Sequence, residues 1–153
     1  MKSVFIVILL TGILFSCGQK KYNATIVETA VEEIKKTEED FSNLSAKIGM
    51  RKAFLQYLDT NGVLLRSGHN PIVGKAARDF LDPINDSAFT LTWVPSAVHA
   101  SKLGDMGYTY GVYTYKDKDT TTYGTYVSIW TRKPDGSWKY VLDTGNSGIE
   151  KAP

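Results

Sequence analysis

"TYGTYVSIWTRKPDGSWKYVLDTG" (residues 122–145) carries the clearest structural signal in the chain. Two runs rich in β-branched and aromatic residues flank "KPDG", where Pro134 suits the second position of a tight turn and Gly136 suits a positive φ. The pattern therefore predicts a β-hairpin. "FTLTWVPSAVHA" and "GYTYGVYTY" lie upstream and have the same character, so the second half of the chain is predicted to be a run of antiparallel strands.

The first half has a helical period instead. Apolar residues recur at spacings of three, four or seven and predict one amphipathic helix, which Gly49 interrupts or ends: Val27, Val31, Ile34, Phe41, Leu44 and Ile48. A second short helix follows, and a third over residues 73–81 ends at "DP". Helices followed by strands predict an α+β fold, with N-terminal helices packed on one face of a strongly curved antiparallel sheet.

The extreme N-terminus, "MKSVFIVILLTGILFSC", is typical of an export signal. Lys2 precedes an apolar run over residues 4–15, and small Ser16 comes directly before Cys17. The run is shorter than the roughly 20 apolar residues that a transmembrane helix needs. We therefore expect the chain to be exported.

"LFSC" is similar to a bacterial lipobox, in which Cys17 becomes the lipidated N-terminus. Cys17 is the only cysteine, so it has no disulfide partner in the chain. An ordinary secretory signal that ends by chance near a cysteine is the alternative. We expect residues 1–17 to be a lipoprotein signal, 18–26 a polar tether and 27–148 the folded domain, anchored by lipid to a membrane of the bacterial cell envelope.

Composition argues against several classes of function. The net charge is +2, from 18 basic and 16 acidic residues without a long run of one sign, so no nucleic-acid partner is expected. His69 and His99 are the only histidines, and neither lies in a cluster with metal-ligand spacing. "VGKAA" lacks the glycine spacing of a phosphate loop. We expect no metal and no other cofactor.

Five segments carry a resemblance to a known family and span nearly all of residues 40–146: "DFSNLSAKIGMRKAFLQYLDTNGVLLR", "NPIVGKAA", "FTLTW", "GDMGYTYGVYT" and "GTYVSIWTRKPDGSWKYVLDTGN". They resemble the nuclear-transport-factor-2-like (NTF2-like) superfamily, which includes ketosteroid isomerases and SnoaL-like polyketide cyclases. Within it the chain looks most like the bacterial branch called domain of unknown function 4440. The resemblance implies a cone-shaped α+β fold with a cavity at its open end.

The tyrosines of "GYTYGVYTY" fall on both faces of one predicted strand. Neighbouring side chains in a strand point to opposite faces, so Tyr108 and Tyr110 share one face, and Tyr113 and Tyr115 share the other. We interpret most of these rings as sheet packing and expect a few aromatic residues to line the cavity. The candidates for the ligand pocket are Trp93, Tyr110, Tyr126 and Trp130.

Asp143, in "VLDTG", is the candidate catalytic residue. If Trp130 pairs with Lys139 across the hairpin, then Trp130, Tyr126 and Asp143 share a face; a slip of one residue would reverse this. The resemblance implies that enzymes of the superfamily place an acid or base in an apolar pocket, as ketosteroid isomerase does. The alternative is that Asp143 caps the strand end by accepting hydrogen bonds from the amides of "DTGN".

These expectations combine into one function and two alternatives. We expect a lipid-anchored cell-envelope protein that binds a small, largely apolar molecule, with Asp143 as the polar anchor. The first alternative is an acid/base isomerase, cyclase or dehydratase that uses Asp143 together with a tyrosine hydroxyl. The second is a non-catalytic module that forms a homodimer through a face of its sheet.

Overall fold

The structure, a computed structural model, describes residues 24–149, which form three helices and one six-stranded sheet. The helices are α1 (Ala24–Ile48), α2 (Met50–Tyr57) and α3 (Lys75–Leu81). The strands are β1 (Leu58–Leu65), β2 (Ile72–Val73), β3 (Thr90–Ala100), β4 (Met106–Lys116), β5 (Thr121–Arg132) and β6 (Trp138–Ile149).

The predicted signal peptide with Cys17 lies outside the described residues, as does most of the predicted tether. Residues 24–26, which we assigned to the tether, belong to α1. No helix within residues 24–149 combines the length and the hydropathy that crossing a membrane requires.

The sheet is mixed, with the strand order β2-β1-β6-β5-β4-β3. The α+β class and the four strands of the second half are confirmed. The wholly antiparallel sheet is wrong, because β1 runs parallel to β6, with Leu64 beside Asp143. Two parallel strands need a long connection, and here the connection from β1 to β6 consists of β2, α3, β3, β4 and β5. The strong curvature of the sheet stays a prediction.

The β5–β6 hairpin differs by one residue from the predicted register. Trp130 pairs with Tyr140 rather than with Lys139, and the register then shifts so that Ile129 pairs with Leu142. The extra residue at this β-bulge is Val141. Because the bulge compensates for the slip, Asp143 lies opposite Ser128 and is buried on the same face as Trp130.

Helix α1 packs on β3, the edge strand of the sheet. The Ser42 hydroxyl donates a hydrogen bond to the carbonyl of Trp93 and accepts one from the amide of Trp93, both at 2.9 Å. The Ser45 hydroxyl donates to the carbonyl of Leu91 at 2.6 Å. These bonds occupy backbone groups that an uncovered edge strand would present to other chains.

The buried side of α1 is partly polar: Ala30, Ile34, Glu38, Phe41, Ser42 and Ser45. Ile48, which the sequence pattern placed in the apolar stripe, is 39% exposed. Gly49 then separates α1 from α2, as predicted, and its φ of 95° explains why glycine stands there.

Phe41 is the centre of the aromatic core. Its ring centroid lies 4.6 Å from that of Trp93, 4.7 Å from that of Tyr57 and 4.9 Å from that of Phe54. These rings join α1, α2 and β3, so one residue ties the helices to the sheet.

Gly111 of β4 provides a test of the packing within the sheet. A methyl group there would overlap the carbonyl oxygen of Val94, beside the register shift between Pro95 and Ala97 in β3. We expect Gly111→Ala to lower the free energy of unfolding by about 1–3 kcal/mol, because the crowded atoms are backbone.

Urea unfolding measures this loss, and Gly145→Ala is the matched control. The nearest atom to a methyl group at Gly145 is the carbonyl oxygen of Thr125, at 3.2 Å, so we expect a much smaller loss. An equal loss in the two variants would show that the approach of β3 to β4 does not require glycine.

Candidate functional site

A cavity of about 400 Å³ lies between the helices and the inner face of the sheet. Its wall is mainly aromatic and aliphatic, and several residues of this kind come from the helices and the loop after α3: Phe41, Met50, Phe54, Phe80, Leu81 and Ile84. The sheet contributes Leu91, Trp93, Tyr113, Tyr115 and Tyr126 and the polar residues Ser128 and Asp143. Arg66, directly after β1, adds a third polar side chain. The volume falls in the range of small-molecule sites.

Asp143 is held on the cavity wall by two side chains. Arg66 Nη2 lies 2.5 Å from Asp143 Oδ1, and the Ser128 hydroxyl donates to Asp143 Oδ2 at 2.9 Å. Arg66 Nη1 also donates to the backbone carbonyls of Leu65 and Asp143, each at 3.0 Å. The Asp143 carboxylate is thus bound by side chains and not by the amides of "DTGN", which removes the strand-cap interpretation.

The parallel pairing of β1 with β6 explains this ion pair. Leu65, the last residue of β1, pairs with Thr144, and Arg66 follows it directly. The guanidinium therefore reaches the residue that precedes Thr144. Sequence reasoning missed Arg66 because local patterns do not show that residues 58–65 form a strand paired with β6.

The structure brings together only part of the predicted pocket. Trp93 and Tyr126 line the cavity beside Asp143. Trp130 is fully buried beneath the wall, where its Nε1 donates to Thr109 Oγ1 at 3.1 Å, and it is not a lining residue. It therefore supports the site without facing it.

Tyr110 lies outside the cavity, which corrects its assignment to the pocket. It is 46% exposed and shares the outer face of the sheet with Tyr108, next to the His99 ring. The inner positions of this part of β4 are Thr109 and Gly111, both buried. The predicted division of the tyrosines between two faces is confirmed, and the ones that line the cavity are Tyr113 and Tyr115.

Glu38 of α1 forms a second polar cluster, which the sequence analysis also missed. Its side chain is fully buried and accepts hydrogen bonds from Trp93 Nε1 at 2.5 Å and from Thr109 Oγ1 at 2.7 Å. Burial raises the pKa of its carboxyl to about 7, although these hydrogen bonds oppose the shift. The available signal was its spacing, four residues after Ile34 and three before Phe41, on the buried stripe.

The Tyr126 hydroxyl lies between the two polar clusters. It is buried near Glu38 and Thr109, but within the described part of the chain no hydrogen bond of good geometry joins it to either. Burial raises the pKa of this hydroxyl, and the nearby charges of Glu38 and Asp143 raise it further. Tyr126 therefore carries a neutral hydroxyl whose polar neighbours are Glu38 and Thr109.

Residues 24–149 contain no group of three or more His, Cys, Asp or Glu side chains placed to hold a metal ion. What the arrangement offers chemically is an apolar chamber with an ion-paired carboxylate, a guanidinium and a neutral phenol at one wall.

Comparison with solved structures shows the fold. An NTF2-like protein with a cystatin-like fold from Novosphingobium aromaticivorans is 16% identical, with 82% of this chain and 86% of that chain covered and a TM-score of 0.63. A ketosteroid isomerase-like protein from Erwinia carotovora atroseptica is 13% identical, with 80% and 94% covered and a TM-score of 0.52.

A protein from Catenulispora acidiphila, solved in complex with S-DNPA, is 11% identical, with 78% and 94% covered and a TM-score of 0.57. No protein-family profile matches the chain, and no curated protein matches it. At these identities the likeness concerns the fold alone: the chain has the α+β fold of NTF2-like and ketosteroid isomerase-like proteins.

The buried Glu38 predicts a pH-dependent stability. Burial raises the pKa of Glu38 in the folded protein to about 7 from the ordinary 4.5 of a glutamate, so folding favours the protonated form. The contribution of protonated Glu38 to the free energy of unfolding is complete below about pH 4.5 and is lost as the pH rises through about 7. The loss is about 3 kcal/mol, from the free energy of one pKa unit. We expect Glu38→Gln to abolish this loss.

Urea unfolding of wild type and variant between pH 4 and about 8 measures the difference. Glu33→Gln is the control on the same helix. Partial burial raises the pKa of Glu33, but hydrogen bonds from Trp138 and Arg132 and the charge of Arg132 outweigh this and lower it, so Glu33 adds no loss of stability as the pH rises above 4.5. Parallel pH profiles for wild type and Glu38→Gln would show that Glu38 titrates normally in the folded protein.

Proposed function

We propose that this chain is a lipid-anchored protein of the bacterial cell envelope whose NTF2-like domain binds a small, largely apolar molecule. The observation that carries the proposal is the cavity of about 400 Å³, which is lined mainly by aromatic and aliphatic side chains and has Arg66 and Asp143 on its wall. Such a chamber buries an apolar body while a few polar groups fix its orientation. The lipobox-like "LFSC" supports the anchor at Cys17.

The finer family assignment belongs to the same proposal. We assign the chain to the branch called domain of unknown function 4440, on the segments within residues 40–146 quoted above. The Catenulispora protein in complex with S-DNPA supports small-molecule binding by this fold, and our proposal extends it to this chain.

A second candidate function rests on Tyr126 and Asp143. Both residues line the same cavity, and they carry a hydroxyl and a carboxylate. A carboxylate and a hydrogen-bond donor on one apolar wall are the groups that an isomerase, cyclase or dehydratase uses to move a proton next to a carbonyl.

A homodimer through the outer face of the sheet is the third candidate. Val94 is 72% exposed there, beside the half-exposed Tyr108 and Tyr110. Exposed apolar side chains on adjacent strands are typical of a protein interface when they form a continuous patch.

Native mass spectrometry of the chain, purified as the cell processes it and exposed to envelope extract, tests the main proposal. We expect a reproducible added mass on the wild type. Ser147→Trp should abolish it, because Ser147 lies on the cavity wall and the indole would occupy the space. Asn146→Trp is the control, since Asn146 is an exposed neighbour that does not line the cavity.

The same spectra report the other parts of the proposal. A chain that begins at Cys17 and carries lipid supports the anchor, and an unmodified N-terminus contradicts it. A wild type without added mass, or a mass that survives Ser147→Trp, contradicts ligand binding in the cavity. A dimer without any ligand favours the interface candidate instead.

Deuterium exchange next to the carbonyl of tetralone, followed by proton NMR in heavy water, tests the enzyme candidate. If Asp143 acts as a base, we expect the protein to accelerate exchange by about 100-fold. Asp143→Asn should remove the acceleration, and Tyr126→Phe should reduce it by about tenfold. Asp79→Asn, on the exposed surface of α3, should leave it unchanged. Equal rates in all proteins would exclude this role for Asp143.

A further inference from the structure

The polar wall of the cavity carries no net charge. Arg66 and Asp143 are the only charged side chains among the described residues that line it, and they form an ion pair at 2.5 Å. Glu38, the nearest other acid identified above, is sealed behind Trp93 and does not line the cavity. A guest molecule therefore meets a neutral pair rather than a free charge.

The pair nevertheless retains hydrogen-bonding capacity of both kinds. Arg66 uses Nη1 for two backbone carbonyls and Nη2 for Asp143, which leaves Nε–H and one hydrogen on Nη2 without a partner among the described residues. Each oxygen of Asp143 accepts one hydrogen bond, from Arg66 or from Ser128, and keeps a further acceptor position. Donor and acceptor thus lie side by side.

This arrangement discriminates against charged guests. A carboxylate entering the apolar chamber would lose its hydration while Asp143 offsets the attraction of Arg66. An ammonium group would also lose its hydration, and its attraction to Asp143 would be offset by repulsion from Arg66. Removing an ion from water without a net opposite charge is strongly unfavourable. A neutral group that both donates and accepts can satisfy the pair without that penalty.

The rest of the wall defines the body of the guest. Rings of Trp93, Tyr113, Tyr115 and Tyr126 come from the sheet, and those of Phe54 and Phe80 from the helices. Aromatic side chains pack well against flat rings, face to face with an offset or edge to face. The chamber therefore favours a flat, apolar ring system.

We propose that the cavity selects an uncharged molecule with a flat apolar body and one head group that both donates and accepts hydrogen bonds, an alcohol or a primary amide, held between Arg66 and Asp143. The inference rests on the proposed binding function and names its ligand class. It assigns Arg66 and Asp143 jointly as the residues that set specificity.

A set of four matched probes tests the selection. Each is a naphthalene ring that carries, at the same position, a hydroxymethyl, carboxamide, carboxylate or aminomethyl group. Isothermal titration calorimetry of the purified chain near neutral pH compares their affinities. We expect the alcohol and the amide to bind at least about tenfold more tightly than either ion.

Two variants should replace the preference for uncharged probes by a preference for a charged one, an anion in one variant and a cation in the other. Asp143→Asn leaves the guanidinium of Arg66 without a counter-ion, so the carboxylate probe should become the tightest ligand by about tenfold. Arg66→Gln leaves the Asp143 carboxylate alone, so the aminomethyl probe should become the tightest by a similar factor. Asp79→Asn, which removes an exposed carboxylate on α3, should keep the wild-type order.

The outcomes separate the two proposals. If no probe binds the wild type, the ligand class is overturned, and the added mass in the native mass spectra decides the binding function separately. If the probes bind the wild type but the carboxylate binds best, or all four bind alike, the ligand class is overturned while the binding function stands. If either variant fails to fold, the other variant and the wild-type order still decide. Folded variants that keep the wild-type order would overturn the role of the pair.

Discussion

Two hydrogen bonds between the Ser42 hydroxyl and the backbone of Trp93 hold helix α1 against strand β3. The position of α1 in turn determines which part of the sheet is covered and where the cavity lies. One hydroxyl binds both the amide and the carbonyl of an edge-strand residue, so α1 must lie close against β3. The adjacent inner residues of β4 are small: a side chain at Gly107 would overlap Ile34 of α1, Thr109 binds Glu38 of α1, and a side chain at Gly111 would overlap the β3 backbone. The large inner residues of β4, Tyr113 and Tyr115, therefore occur only farther along the strand, where the cavity lies.

The inner face of the sheet carries two polar clusters with different environments. Glu38 is fully buried, and both of its oxygens accept hydrogen bonds from side chains of the sheet. Asp143 lies on the cavity wall and is compensated by a cation. Burial without a cation raises the pKa of the Glu38 carboxyl, whereas the Asp143 carboxylate has the Arg66 guanidinium beside it. The same chemical group is thus enclosed in the interior in one place and lies on the cavity wall in the other.

The sequence predicted what depends on local pattern and missed what depends on pairing between distant segments. The strands, the helix break at Gly49 and the two faces of β4 follow from periodicity and from glycine. The parallel pairing of β1 with β6 does not follow from them, and without that pairing the contact of Arg66 with Asp143 could not be predicted. Tyr110 was assigned to the wrong face because alternation separates two faces without saying which one the helices cover. Asp143 was placed correctly only because the bulge at Val141 cancelled the register error.

The ion pair also bears on whether the cavity is a site of binding or of proton transfer. A base that takes a proton from a guest gives up part of its attraction to a neighbouring cation, and Arg66 is attached to Asp143 through both the carboxylate and the backbone carbonyl. Proton transfer to Asp143 must therefore weaken a contact that also joins β1 to β6. Binding requires no such change, since the unused donor and acceptor positions of the pair remain available. The geometry as it stands thus favours a binding protein over an acid/base enzyme.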